Sequence, residues 1–239
     1  MSWKCVCKEE NSDDSQYCSN CARKKPKYLG VKLEIESTQE MSQEQKAVWY
    51  LMISHDHLRD ANRYLGSYRE SKEHEGDESY NQTSVRNNMV SFQKYVETNC
   101  EKCLNILEKS ESLFPDAQFK GENGVIQNIS SIKSECFFTM GSLHFNQDNF
   151  SKAIDYYRQS YDSDPNQVSI YNIAMATRNL PVEGGGIFSG KKKQAAIETK
   201  KEQEIDWLKK TIKIAPFSSI GVKSGRLLIN DYNIAEIDI

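Results

Sequence analysis

The chain has 239 residues, of which 38% are hydrophobic and 27% are charged, and its net charge is −3. This composition predicts a folded protein with a highly charged surface and excludes a fully disordered chain. The charge balance creates no global field that would favour nucleic acid or an anionic membrane. We also find no apolar stretch that could span a bilayer and no export signal, so we expect a cytoplasmic protein whose thiols stay reduced.

The first predicted element is a zinc module at residues 1–27. Four of the seven cysteines form the pattern C-x-C-x10-C-x2-C: Cys5, Cys7, Cys18 and Cys21. Two close pairs of thiolates separated by a loop supply the tetrahedron that zinc prefers. Metal binding would also provide the folding energy that so short a segment lacks. Two disulfides or four unmodified thiols are the alternatives, and the reducing compartment favours one structural Zn²⁺ ion.

The residues around these cysteines carry a family resemblance. The run Trp3-Lys4-Cys5-Val6-Cys7, followed by Asn11, Tyr17 and Pro26, resembles short bacterial zinc ribbons and the Ran-binding-protein type of zinc finger. The resemblance covers residues 3–26 and implies a small zinc ribbon. Members of that finger family that bind RNA carry an aromatic residue and two arginines where this chain has Ser12, Asp14 and Ser15. A structural role is therefore favoured over RNA binding.

Residues 28–40 are predicted to form a short strand or a linker, because Val31, Leu33 and Ile35 alternate with charged residues. A helical domain is predicted to follow at 41–239. Ser42 and Gln45 are spaced as a capping box that opens its first helix. The polar, acidic stretch Ser67–Gln82 is predicted to be a loop.

The second predicted helix has an apolar face with spacings of three and four residues. Its members are Val85, Met89, Phe92, Val96, Cys100, Cys103 and Leu107. The spacing C-x2-C at Cys100 and Cys103 would suit a second metal or redox pair, but no further ligand pair lies nearby in sequence. We interpret both as small buried apolar residues, and Cys136 likewise.

The stretch 134–165 resembles a tetratricopeptide repeat. The residues that carry the resemblance are Phe137, Met140-Gly141, His144, Phe150, Ala153-Ile154, Tyr157 and Pro165. Small residues at Gly141 and Ala153 would let two antiparallel helices approach closely. The segment Asn146–Asn149 predicts a tight turn between them, because Asn and Asp tolerate left-handed backbone.

A second such repeat is predicted at 168–217, where Ile170–Ala174 resembles the start of a first helix and Glu204–Pro216 resembles a closing helix. An insertion is predicted at 181–199. With a degenerate first hairpin upstream and a capping helix at 221–234, the resemblance implies a mainly α protein. Its expected architecture is a tetratricopeptide-like stack of antiparallel helical hairpins with a small N-terminal zinc ribbon.

No enzyme signature emerges from the remaining motifs. Gly185–Lys191 has the G-x4-G-K skeleton of a phosphate-binding loop, but Lys192 replaces the residue that should hold magnesium, and no buried strand precedes it. We interpret the Lys191–Lys193 cluster as part of a mobile loop. The four histidines form no protease or nucleophile motif, and His144 lies on a packing face.

The groove lined by the first helices of such stacks is the predicted partner site. The residues that lie off the packing face there are Phe138, Ser142, Phe145, Tyr171, Met175 and Arg178. Aromatic residues and an arginine in a groove could anchor a peptide, whereas a neighbouring helix could instead cover them as core. We therefore predict a non-enzymatic adaptor that docks a protein partner. A nucleic-acid-associated factor and a regulatory subunit of an enzyme are the alternatives.

Overall fold

A computed structural model of the protein describes residues 2–4, 10–12, 41–121, 124–182 and 190–234. The chain divides into two compact units, Met1–Lys46 and Ala47–Ile239. The described chain is mainly helical, as the sequence predicts, and none of its helices is long and apolar enough to cross a membrane. Its elements are β1 (Ser2–Lys4), β2 (Glu10–Ser12), α1 (Gln43–Glu73), α2 (Gln82–Leu113), β3 (Gln118–Lys120), β4 (Ile126–Asn128), α3 (Ile129–Asn146), α4 (Phe150–Ser163), α5 (Gln167–Asn179), α6 (Gly190–Ile214) and α7 (Ser219–Tyr232).

The first unit contains a small antiparallel hairpin. β1 pairs with β2 in a register that aligns Trp3 with Asn11. The predicted zinc ligands and the predicted strand or linker at 28–40 lie outside the described residues. Near the end of this unit, the Gln45 amide donates to Ser42 Oγ at 3.1 Å and the Ser42 amide donates to Gln45 Oε1 at 3.0 Å. The predicted capping box therefore opens α1.

α1 and α2 share one hydrophobic core, built from the apolar faces that their sequences predict. Leu58 and Leu65 of α1 and Val96 and Leu107 of α2 are buried in it. A polar contact also joins α1 and α2, since the buried Ser110 hydroxyl donates to the Ala47 carbonyl at 2.8 Å. The two helices therefore share buried apolar side chains and one buried polar contact.

The predicted loop at Ser67–Gln82 is wrong in its first half, because α1 continues to Glu73. Tyr68 is 4% exposed within the core. Lys72 donates to the Asn146 carbonyl, and its Nζ also lies 2.9 Å from the Asp148 carboxylate. These contacts with the end of α3 keep the acidic segment helical, which its local composition does not predict.

A short hairpin between α2 and α3 was not predicted. β3 pairs with β4 so that Phe119 faces Gln127 in the register. The Phe119 ring meets the His55 ring edge-on, with centroids 5.5 Å apart. Asn128 then caps α3, accepting from the Ser131 amide at 2.8 Å. The hairpin therefore connects the first helical pair to the start of the next.

α3 and α4 form the predicted helical hairpin. Asp148 lies in its turn with a left-handed φ of 58°. A Cβ atom added to Gly141 would lie 2.7 Å from Cδ1 of Tyr157, so the glycine admits that ring rather than a neighbouring backbone. Ala153 is fully buried in the same interface. The small residues therefore permit the close packing that the sequence predicts.

α5, α6 and α7 continue the series. α5 packs against α4 and α6, and α7 packs against α6 and α5. The predicted insertion at 181–199 includes ten residues, 190–199, that belong to α6. The predicted capping helix is α7, whose N-cap Ser218 accepts from the Gly221 amide at 2.9 Å. Leu208 and Leu228 are fully buried in the core that these helices share.

Candidate functional site

The predicted partner-binding residues of α3 divide between core and surface. Ser142 is 3% exposed, and its Oγ accepts a hydrogen bond from the Tyr157 hydroxyl at 3.3 Å. Phe138 and Phe145 are only partly buried. They pack on a cluster that includes Tyr157 and Ile173 of the following helices. Ser142 is therefore part of the α3–α4 interface, whereas the two phenylalanines retain an accessible edge.

The predicted residues of α5 lie in a second hydrophobic cluster. Tyr171 and Met175 are partly buried beside Leu208 of α6 and Leu228 of α7. The ammonium group of Lys223 lies 5.3 Å from the centre of the Tyr171 ring. The two sets of predicted residues thus lie in neighbouring clusters, the first with residues of α4 and α5 and the second with residues of α6 and α7.

Arg178 bridges three helices. Its Nε donates to Glu204 Oε1 at 2.6 Å, and its Nη2 donates to Asp231 Oδ2 at 2.7 Å. The Glu204 side chain is 3% exposed and the Arg178 side chain 32%. Burial, together with the hydrogen bond to Glu204, raises the pKa of Tyr232 to about 12, so its phenol stays a neutral donor. Arg178 therefore fixes α6 and α7 against α5.

The interface between α2 and α3 contains the predicted buried cysteines. Cys100, Cys103 and Cys136 are all free and at most 1% exposed. The Cys136 thiol donates to the Cys100 carbonyl at 3.4 Å. A hydrogen bond with Cys136 and burial raise the pKa of the Cys100 thiol far above its usual value. Because the thiolate is the reactive form, these side chains behave as core, as the sequence predicts.

Candidate metal ligands do not cluster in the described ranges. No group of three or more His, Cys, Asp and Glu side chains converges there in a way that could hold a metal ion. His144 is 7% exposed and stacks on Tyr156, with ring centroids 5.3 Å apart. Burial lowers its pKa, so the ring is neutral near pH 7. His144 is therefore a packing residue, as its place on the helix predicts.

The phosphate-loop-like motif lies only partly within the described residues, which resume at Gly190. Lys191, Lys192 and Lys193 are exposed in the first turn of α6, so the predicted mobile loop is wrong for these three residues. The reason is the long polar, Ala- and Lys-rich run after them, which favours helix. The cluster presents solvated cations at a helix start.

Sequence reasoning missed a cation–π seam between α4 and α6. Lys210 Nζ lies 4.4 Å from the ring centre of Tyr161 and 4.9 Å from that of Trp207. The guanidinium carbon of Arg158 lies 5.7 Å from the Trp207 ring centre. Trp207 and Lys210 are three residues apart on one helix, so their contact could have been predicted from the sequence. Arg158 and Tyr161 come from a helix about 50 residues earlier in the chain, so their contacts could not. The seam joins successive helical hairpins.

Comparison of the chain with models of protein families, with curated proteins and with solved structures found no match.

Proposed function

We propose that this protein is a non-enzymatic adaptor. Its helical part is a tetratricopeptide-like stack of antiparallel hairpins that docks a protein partner, and a structural zinc ribbon precedes it. The observation that supports partner docking is the partial exposure of Phe138, Phe145, Tyr171 and Met175 along α3 and α5. Aromatic and thioether side chains with accessible edges on rigid helices are suitable anchors for a peptide, because little conformational entropy is lost on binding.

Three observations support the reading of 134–165 and 168–217 as repeats. Gly141 admits the Tyr157 ring at the crossing of α3 and α4. Consecutive helices pack on one another, with α5 against α4 and α6 against α5. The Ser134, Ser160 and Ser169 hydroxyls form a buried chain, with Oγ–Oγ distances of 3.1 and 2.8 Å across α3, α4 and α5. Small residues at such a junction let three helices approach one another.

The partner-docking proposal predicts that edge residues of α3 and α5 control retention of a partner. We expect the pair Phe145→Ala and Tyr171→Ala to reduce capture of a specific protein from native extract at least about tenfold, because hot-spot aromatics carry about 2 kcal/mol or more each. Capture is measured by quantitative mass spectrometry on full-length protein, with thermal unfolding to show that the variant is folded.

Val90→Ala is the matched control, since Val90 is 67% exposed on α2 and its loss should not change capture. Equal capture by both variants would contradict the proposal. Two alternative functions give different results in the same experiment. A nucleic-acid-associated factor using Arg23–Lys27 and Lys191–Lys193 would bind RNA or DNA with a steep salt dependence. A regulatory subunit would retain a stoichiometric catalytic chain.

The zinc ribbon is proposed on the donor set Cys5, Cys7, Cys18 and Cys21, and β1 and β2 flank the first pair. We predict about one equivalent of zinc per chain by elemental analysis of protein purified under reducing conditions. Cys18→Ser should abolish binding, because three thiolates hold Zn²⁺ far more weakly than four. Far-ultraviolet circular dichroism should stay nearly unchanged, since nearly all of the helical residues lie in the other unit.

Ser19→Ala is the control for this prediction, because it changes the same segment and removes no thiolate. It should bind zinc as the unmodified chain does. A metal-free unmodified protein whose mass corresponds to two disulfides would refute the zinc proposal, and so would full zinc content in Cys18→Ser.

A further inference from the structure

The outer face of α7, the last described helix, carries an unusual stripe. Ser218 is the N-cap of this helix, so Phe217 stands at the position before the cap and Val222 at the fourth helical position. These two positions adjoin each other at a helix start, where they often form a hydrophobic staple. Arg226 and Ile229 follow at spacings that place them on the same face as Val222. We call Phe217, Val222, Arg226 and Ile229 the terminal stripe.

The apolar members of the terminal stripe are accessible. Phe217 is 97% exposed, Val222 46% and Ile229 51%. Phe217 therefore does not close the staple with Val222, although the sequence places the two residues for it. The last helix of a repeat stack normally has a polar outer face, because nothing packs on it. In the described chain the main contacts of α7 are with α6 and α5, and its outer face departs from that rule.

The charges on this face are of one sign. Asp231 is the only carboxylate of α7, and it accepts from Arg178 on the side that faces α5. Lys223 lies over the Tyr171 ring. Arg226 is exposed and makes no ion pair within the part of the chain that the structure describes. An apolar stripe interrupted by an unpaired guanidinium complements a surface that is apolar in the middle and acidic at its edge.

We propose that the terminal stripe docks an amphipathic helix of a partner protein, one whose apolar face is flanked by Asp or Glu. The docked helix would continue the helical series by one member and pair its carboxylates with Arg226. Phe217 would supply the aromatic anchor, as a fully accessible ring that costs little to immobilise. This surface is separate from the α3 and α5 edges, so either docking proposal can fail while the other holds.

The test uses full-length protein and two synthetic helical probes. Both are amphipathic 18-residue peptides with the same leucine stripe, flanked by Glu in one and by Lys in the other, and binding is followed by fluorescence anisotropy. We expect the Glu-flanked peptide to bind at least about tenfold more tightly, and Arg226→Glu to reverse that preference. Ile229→Ser should weaken binding of the Glu-flanked peptide about fivefold or more without reversing it.

Lys109→Glu is the matched charge control, because Lys109 is an exposed cation on α2 and its reversal should leave the preference unchanged. Failure of both peptides to bind, or equal affinity for the two, would overturn the proposal. Dissociation by Arg226→Glu of a dimer seen in sedimentation would overturn the proposal, because the occupant would then be a second copy of the chain. Binding of the peptide only after deletion of residues 235–239 would also overturn it, because the occupant would then be the chain's own end.

Phe217 has a separate test, which distinguishes a role in docking from an effect on the stability of α7. Phe217→Ala should weaken binding of the Glu-flanked peptide about tenfold. It should leave the unfolding temperature within about 2 °C of that of the unmodified protein. An unchanged affinity with a clearly lower unfolding temperature would remove Phe217 from the docking surface.

Discussion

Replacement of Arg178 by alanine is expected to lower the free energy of unfolding by about 3 kcal/mol. The reason is the Glu204 carboxylate, which is 3% exposed and accepts from Arg178 Nε at 2.6 Å. Without the guanidinium, a buried charge keeps only neutral donors. The estimate is at the lower end for a broken buried pair, because the Arg178 side chain is itself 32% exposed and water can reach the gap. For a chain of this size the unfolding midpoint should fall by roughly 6–12 °C.

Chemical denaturation of three further variants separates the charge from the packing. Glu204→Gln in the Arg178→Ala background should restore much of the lost stability, because it removes the unpaired charge and keeps the shape. Asp231→Asn should cost under about 1 kcal/mol, since Asp231 is 41% exposed in its pair with Arg178. A loss from Arg178→Ala no larger than that from Asp231→Asn would mean that Glu204 is not held by this bridge.

Gly141→Ala is expected to destabilise the protein by about 1–3 kcal/mol, although alanine is the better helix former. Its Cβ would lie 2.7 Å from Cδ1 and 2.8 Å from Cε1 of Tyr157. The ring cannot withdraw easily, because Tyr157 is 1% exposed and is packed against Phe138 with centroids 5.3 Å apart. Either α4 moves away from α3 or the ring leaves its rotamer, and both cost free energy.

Gly66→Ala is the matched control for this substitution. Gly66 is also helical, but no heavy atom lies within 4 Å of the position its Cβ would take. Its replacement should stabilise the protein by about 0.5–1 kcal/mol through helix propensity alone. Both midpoints come from urea denaturation at equal protein concentration. A gain in stability from both substitutions would show that Gly141 is not required for the close approach of α3 and α4.

Much of the helical part could be predicted from local signals. The capping box of Ser42 and Gln45 opens α1 because two side chains three residues apart satisfy free amides of the first turn. Cys100 and Cys103 are core because their spacing places them on the face of Val96 and Leu107. The turn at Asp148 follows from the tolerance of that residue for left-handed backbone. Each of these decisions is made within one or two helical turns of sequence.

The role of Arg178 could not be predicted in the same way. The sequence indicates only that it lies off the packing face of α5, where an arginine serves a partner or an internal acid equally well. Glu204 and Asp231, which accept from it, lie 26 and 53 residues further along the chain. The same holds for the seam in which Arg158 and Lys210 share the Trp207 ring.

The sequence by itself determined that the chain is mainly helical, how α1 begins and which side of α2 is apolar, because those properties depend on neighbours within about four residues. The tertiary structure alone decided that α1 extends through its acidic end, where Lys72 reaches Asn146 and Asp148. It also decided that Ser142 is buried and that Phe217 is exposed. Such outcomes depend on which distant surfaces meet, and contact between them is stabilised by burial and pairing that no local pattern encodes.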